Sequence, residues 1–172
     1  ADLAIVSQRH QALKTDRVSL HLPDRLTLVA SCPTLVLPVE ASTDFTGKHL
    51  MLSWKAKREA SRALRDSLGL MRDAEQVSIA MLYRRDTEKD VMAESKRAKQ
   101  FLSNHDIDAE IHLVPAHRTR GNGSPLLNLA EQIKVDGIIM GAYSHSRFRE
   151  QILGGMTYYM LHHTDIPLIM SH

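Results

Sequence analysis

A chain of 172 residues with 43% hydrophobic residues is long enough for one packed domain, or for one domain and part of another. Its 22 basic residues against 20 acidic ones give a net charge of +2, so no electrostatic footprint for nucleic acid is implied, and its apolar runs fall far short of the roughly 18 residues of a membrane helix. With no charged-then-apolar leader and a single cysteine, Cys32, which excludes an internal disulfide, the expectation is a soluble cytoplasmic protein in which Cys32 packs beside Pro33.

In chain order, residues 1–8 (ADLAIVSQ) read as a strand, 22–30 as a short helix and Thr34–Leu37 as a second strand. Residues 41–47 (ASTDFTG) are a polar linker ending in glycine. Residues 48–54 (KHLMLSW) form a nearly continuous apolar strand. A helix is expected over 57–71, with Ala60, Ala63, Leu64 and Leu68 inward and Arg58, Arg62, Arg65 and Asp66 mostly on the other face. Gln76–Tyr83 is the next strand, 90–104 a helix and 110–115 a third strand. Ser124 and Pro125 read as a capping hydroxyl followed by proline in the first helical position, with Leu126, Leu129, Ala130 and Ile133 continuing the stripe. A strand over 136–141 ends on Gly141, a helix-period segment runs through Phe148, Ile152, Tyr159 and Leu161, and a last strand closes at 166–171.

Strands alternating with helical crossovers lie parallel, so residues 48–172 are expected to form a doubly wound, open, five-stranded α/β sheet. Ligands of such sheets sit outside the carboxyl ends of the strands, which directs attention to the turn after Gly141.

The opening stretch repeats the closing one. An offset of 134 pairs Asp2 with Asp136, Ile5 with Ile139, Val6 with Met140 and, without a gap, Pro33 with Pro167. At that offset Ser7 stands for Gly141, His10 for Ser144, and Leu20 and His21 for Gly154 and Gly155, so the opening copy lacks the glycines of the turn. Residues 1–40 are then expected to be the closing part of a first unit, 41–47 a linker and 48–172 a complete second unit. A whole first copy would start at position −86 (48 − 134 = −86), ahead of Ala1.

Gly141, Ser144, nine further residues, Gly154-Gly155-Met156-Thr157 and the closing run IPLIM together resemble the signature of the universal stress protein family: Gly-x-x-Gly, nine residues, Gly-Ser/Thr. The resemblance covers residues 49–172. It implies a Rossmann-like sheet, akin to the adenine nucleotide alpha hydrolases, with strand order 3-2-1-4-5. It also implies glycines that admit ATP phosphates and ribose, and closing strands that pair between two domains. Two of the four signature residues differ here, Ser144 replacing a glycine and Gly155 the Ser/Thr. In the turn after the first strand the family's Asp-Gly-Ser falls on Lys55, Ala56 and Lys57, while Trp54 fits the tandem bacterial members.

The ligand-contact candidates are Trp54, Lys55, Arg118, Gly141, Ser144, His145, Ser146, Arg147, Gly154, Gly155 and Thr157. Each has a plainer reading beside the functional one. Trp54 packs at a strand end or stacks on a base. Ser144 and Ser146 cap a helix, or join Arg147 around an anion. Arg118 sits in a solvated loop, HRTRGNGS, or in a phosphate-holding one. Gly154 and Gly155 either admit a ligand to the backbone or precede the helix, leaving Thr157 in its first turn. His162, His163 and His172 read as surface histidines, and no metal-ligand spacing is found. No general base or metal-binding acid stands in the turns, so hydrolysis is not expected. The expectation is a non-enzymatic stress-response module with a degraded nucleotide turn and no cofactor, which binds a protein partner and dimerises or pseudo-dimerises through 34–37 and 168–171. The alternative is an ATP-binding member with weak or no hydrolysis.

Overall fold

The computed structural model describes residues 2–8, 22–41, 45–116, 123–143 and 155–172. Along the chain these form β1 (Ala4–Ser7), α1 (Leu22–Val29), β2 (Thr34–Leu37), β3 (His49–Ser53), α2 (Arg58–Asp66), α3 (Leu68–Asp73), β4 (Gln76–Tyr83), α4 (Glu88–Ser103), β5 (Glu110–Pro115), α5 (Gly123–Gln132), β6 (Gly137–Gly141), α6 (Gly155–His163) and β7 (Leu168–Ser171).

All seven strands join one sheet in the order β1-β2-β7-β6-β3-β4-β5. The five from 48–172 run parallel, and counted from β5 to β7 they stand in the order 3-2-1-4-5. The sheet is nevertheless wider than five strands. β2 pairs antiparallel with β7, Thr34 opposite Met170, Leu35 opposite Ile169 and Val36 opposite Leu168, and β1 extends the sheet parallel to β2.

Side chains alternate between the two faces, as the pleat requires. Leu50, Leu52, Ile79, Ile139, Ile169 and Leu35 pack on the side of α2 and α4, against Ala63, Leu64, Ala98 and Leu102. Met51, Ala80, Ile138, Met140, Leu168 and Val36 face α5 and α6. Both faces of β3 are closed to solvent, which explains its unbroken apolar run.

The offset of 134 recurs in the register. Ala4 pairs with Thr34 as Ile138 pairs with Leu168, and Ser7 with Leu37 as Gly141 with Ser171, each 134 residues on (138 − 4, 168 − 34). The N–H of Ala4 donates to Pro33 as that of Ile138 donates to Pro167, both at 2.9 Å. Exchanging the two copies carries Thr34–Met170 onto Val36–Leu168 and leaves Leu35–Ile169 in place. A local two-fold axis therefore passes between Leu35 and Ile169, the geometry of an isologous interface.

Several element bounds differ from the sequence reading. The helix expected over 57–71 is broken at Ser67, whose backbone (φ −103°, ψ 6°) separates α2 from α3 where two weak helix formers, Ser67 and Gly69, come close together. α5 begins at Gly123, one residue before the expected capping serine, and α4 begins at Glu88 rather than Asp90. Phe148 and Ile152 lie outside the described residues; the described helix starts at Gly155.

Asp136, read from sequence only as an anchor of the repeat, fastens the start of β3. Its buried carboxylate accepts hydrogen bonds from the Thr46 hydroxyl, from the N–H of Lys48 at 3.0 Å and from that of His49 at 3.3 Å. Next to it, His49 Nε2 lies 3.0 Å from the Ser78 hydroxyl. Burial lowers the His49 pKa below the ordinary value of 6.5, with Asp136 acting in the opposite direction. An imidazole held neutral in the folded state stabilises the fold above the unfolded value, and that contribution is lost as pH falls through the folded one. Melting temperature is therefore expected to be lower at about pH 5.5 than at about pH 7.5, and His49→Gln, which keeps a partner for Ser78, is expected to narrow the difference in parallel thermal melts.

Arg62 joins the opening segment to the end of the chain. Its Nη1 donates to the carbonyl of His172 and its Nη2 to that of Ser31, both at 3.0 Å, while its Nε lies 3.5 Å from Asp66.

Candidate functional site

β3 and β6 are neighbours in the middle of the sheet, with Ser53 beside Met140, so the turns that follow them meet at the carboxyl edge. The crossovers leave in opposite directions here, the position where open α/β sheets take ligands.

The first turn is basic. Trp54 leaves β3 with its N–H donated to Ala80, 2.9 Å away, and its half-buried ring packs into the apolar cluster under α2. Its indole Nε1 is buried and has no hydrogen-bond partner among the described residues. Lys55 is exposed, and its carbonyl accepts from the N–H of Lys57 at 2.6 Å. Lys57 takes the extended N-cap position of α2 (φ −134°, ψ 158°) without a side-chain cap. A lysine there neither satisfies the free N–H groups of the first turn nor complements their positive end of the helix dipole. Lys55, Lys57 and the exposed Arg58 thus gather around the start of α2.

The second turn owes its glycine to packing. A Cβ on Gly141 would lie 2.4 Å from the backbone N of Ala60, 2.6 Å from the carbonyl carbon of Glu59 and 2.9 Å from the Ala60 Cα. The first turn of α2 rests on the strand end so closely that no side chain fits between them. Two residues on, Tyr143 adopts a left-handed backbone (φ 55°) unusual for a bulky residue, with only 9% of its surface exposed. Its N–H donates to the hydroxyl of Thr157, 3.2 Å away and buried in the first turn of α6. Thr157 therefore holds the Tyr143 turn by accepting through its hydroxyl oxygen. A Cβ on Gly155 would meet open space, so the space around it does not require a glycine there.

Of the sequence candidates, the structure brings Trp54, Lys55 and Gly141 to one edge, with Thr157 behind the Tyr143 turn. Arg118, Ser144, His145, Ser146, Arg147 and Gly154 lie outside the described residues. The sequence reading passed over Glu59, 8% exposed, whose backbone lies against Gly141 and whose carboxylate is 3.4 Å from Arg58 Nε. Its only signal was a place in the first turn of a helix. Beside this edge, a cleft of about 450 Å³ opens between the end of α1, Arg58, Arg62 and His172. Because Arg62 is spent on two carbonyls and Asp66, that cleft offers little unpaired charge. Among the described residues no three His, Cys, Asp or Glu side chains are arranged to hold a metal ion, and no helix is long and apolar enough to cross a membrane.

This arrangement is that of a known class. The profile of the universal stress protein family matches residues 55–172, and the chain belongs to that family. Among solved structures it is similar to a universal stress protein from Archaeoglobus fulgidus DSM 4304 (14% identity, TM-score 0.70), over 87% of this chain and 54% of that one. It is similar to a universal stress protein in complex with cAMP (15% identity, TM-score 0.58), over 73% of this chain and 96% of that one. It is also similar to PA1789, a functionally unknown protein from Pseudomonas aeruginosa PAO1 (12% identity, TM-score 0.58), over 99% of this chain and 62% of that one. The chain thus spans about half the length of the Archaeoglobus protein. No curated protein matches it at a significant level.

Proposed function

We propose that this chain is a non-enzymatic stress-response module that acts by binding a protein partner in the cytoplasm and does not hold ATP as nucleotide-binding members of its family do. The observation that carries this reading is Lys55, exposed at the end of β3 in the position where the family resemblance has a nucleoside-binding aspartate. A carboxylate accepts hydrogen bonds from a nucleoside; an ammonium only donates. Two further observations support it. Gly141 is accounted for by the backbone of α2, and the Thr157 oxygen by the N–H of Tyr143, so neither needs a ligand to explain it. Among the described residues at this edge, the buried acid Glu59 lies beside Arg58, which weakens its case as a general base. The domain pairs in a dimer-like way through 34–37 and 168–171, and neither nucleic acid nor a membrane is among its partners.

A second reading is kept for one reason. Lys55, Lys57 and Arg58 crowd the start of α2 and attract anions, and a fold neighbour holds cAMP, so an ATP-binding form without hydrolysis is the alternative. Purified protein, denatured and its supernatant separated by anion exchange, tests the choice: no stoichiometric nucleotide is expected, and about one nucleotide per chain overturns the proposal.

A further inference from the structure

Positive charge is concentrated on one short stretch of the chain. Between Lys55 and Asp66 stand five basic residues, Lys55, Lys57, Arg58, Arg62 and Arg65, against two acidic ones, Glu59 and Asp66, a net +3 (5 − 2) in a protein whose whole net charge is +2. Both acids are engaged, Glu59 3.4 Å from Arg58 and Asp66 3.5 Å from Arg62. Lys55, Lys57 and Arg65 are exposed and meet no carboxylate among the described residues. Arg58, Arg62 and Arg65, spaced four and then three apart, share one face of α2.

Arg58 and Arg62 form one side of the cleft of about 450 Å³, and its other side is apolar. Leu28 and Val29, at the end of α1, line it and stay 41% and 77% exposed. Arg62 ties the two sides together through the carbonyls of Ser31 and His172, so the charge available to a ligand is that of Arg58, whose side chain is 77% exposed, and of the cations beside it. A basic row facing an apolar wall defines what fits between them. A phosphate chain leaves Leu28 and Val29 in water. An apolar segment alone covers Arg58 with nothing that accepts its hydrogen bonds. A peptide with one large apolar side chain among carboxylates satisfies both sides.

We infer that this cleft docks an acidic segment of the protein partner, its apolar side chain seated against Leu28 and Val29 and its carboxylates on Arg58 and on Lys57 and Arg65 to either side along α2. The inference rests on the reading that the chain acts by binding a protein partner, and it places that contact on the outer face of α2 rather than at the Gly141 turn. An anionic bilayer offers the same two chemistries, but its flat surface has no single side chain to enter a cleft.

Fluorescence anisotropy tests it, with the 172-residue chain and a labelled peptide of glutamates around one central phenylalanine. The peptide is expected to bind with a dissociation constant of about 10–100 μM at low salt, and at least about fivefold more weakly at about 0.5 M salt. Glutamine in place of the glutamates, or alanine in place of the phenylalanine, is expected to weaken binding at least about tenfold. The single variant Val29→Asp and the double variant Lys57→Ser, Arg65→Ser change exposed positions and are each expected to do the same at an unchanged melting temperature. If either variant shifts the melt, the peptide comparisons on the parent chain decide. Equal binding of the glutamine peptide overturns the inference, as does binding untouched by both variants, or none at millimolar peptide. Binding to phosphatidylserine vesicles that Val29→Asp abolishes, without peptide binding, assigns the surface to a bilayer and overturns it too. Failure of the peptide with nucleotide-free protein leaves the partner-binding reading in place, whereas about one nucleotide per chain overturns that reading whatever the peptide does.

Discussion

Gly141→Ala is expected to cost about 3 kcal/mol or more of folding stability, the upper range for overpacking, because the atoms that meet the new methyl belong to backbone. Side chains can turn away; the Ala60 N and the Glu59 carbonyl carbon move only if the first turn of α2 moves with them. For a chain of this size the loss corresponds to roughly 6–12 °C in melting temperature. Ala60→Gly is not expected to rescue the variant, since all three close contacts are backbone atoms that the substitution leaves in place. Urea denaturation of the single and double variants checks both statements. A Gly141→Ala protein as stable as the parent removes the packing explanation and returns the glycine to a ligand.

Asp136→Ala is expected to be nearly as damaging, by roughly 2–4 kcal/mol, because the Thr46 hydroxyl and the N–H groups of Lys48 and His49 all lose a charged acceptor that is 91% buried (100 − 9). The equivalent residue of the opening copy supplies the contrast. Asp2 is exposed, so Asp2→Ala is expected to cost below about 0.5 kcal/mol. Thermal melts of the pair measure the difference directly. Equal losses mean that the opening copy already holds its carboxylate as the second copy does, contrary to the exposure of Asp2.

Much of the fold was legible because its signals are local. Apolar runs such as HLMLS and QVSIAMLY are buried strands with covered faces, and both matched the structure to within a residue or two. The pairing of β2 with β7 was legible because an edge strand seeks another and because closing strands of the resembled family pair between domains. The helix break at Ser67 was not legible: apolar spacing runs straight through it as Leu64, Leu68 and Met71. Nor was the reason for Gly141 or Thr157. A glycine needed for a backbone 81 positions away (141 − 60) reads the same in sequence as one needed for phosphate. A threonine that accepts from Tyr143 likewise reads the same as one that donates to a ligand. Glu59 went unnoticed because its burial comes from α2 resting on β6, a contact between distant parts of the chain.

The edge between Lys55 and Gly141 is expected not to hold ATP tightly. A lost acceptor at Lys55, a side chain at Ser144 and a missing hydroxyl at Gly155 each remove roughly 0.5–1.5 kcal/mol or more, and roughly 1.4 kcal/mol is tenfold in affinity. Together they weaken binding by about two decades, while the basic residues around α2 keep a residual attraction for anions. The measurement is calorimetric titration of the chain with magnesium ATP at physiological salt, beside the variant Lys55→Asp, Ser144→Gly, Gly155→Ser. The parent is expected to show a dissociation constant above about 100 μM and the triple variant a distinctly lower one; a micromolar constant for the parent contradicts the account.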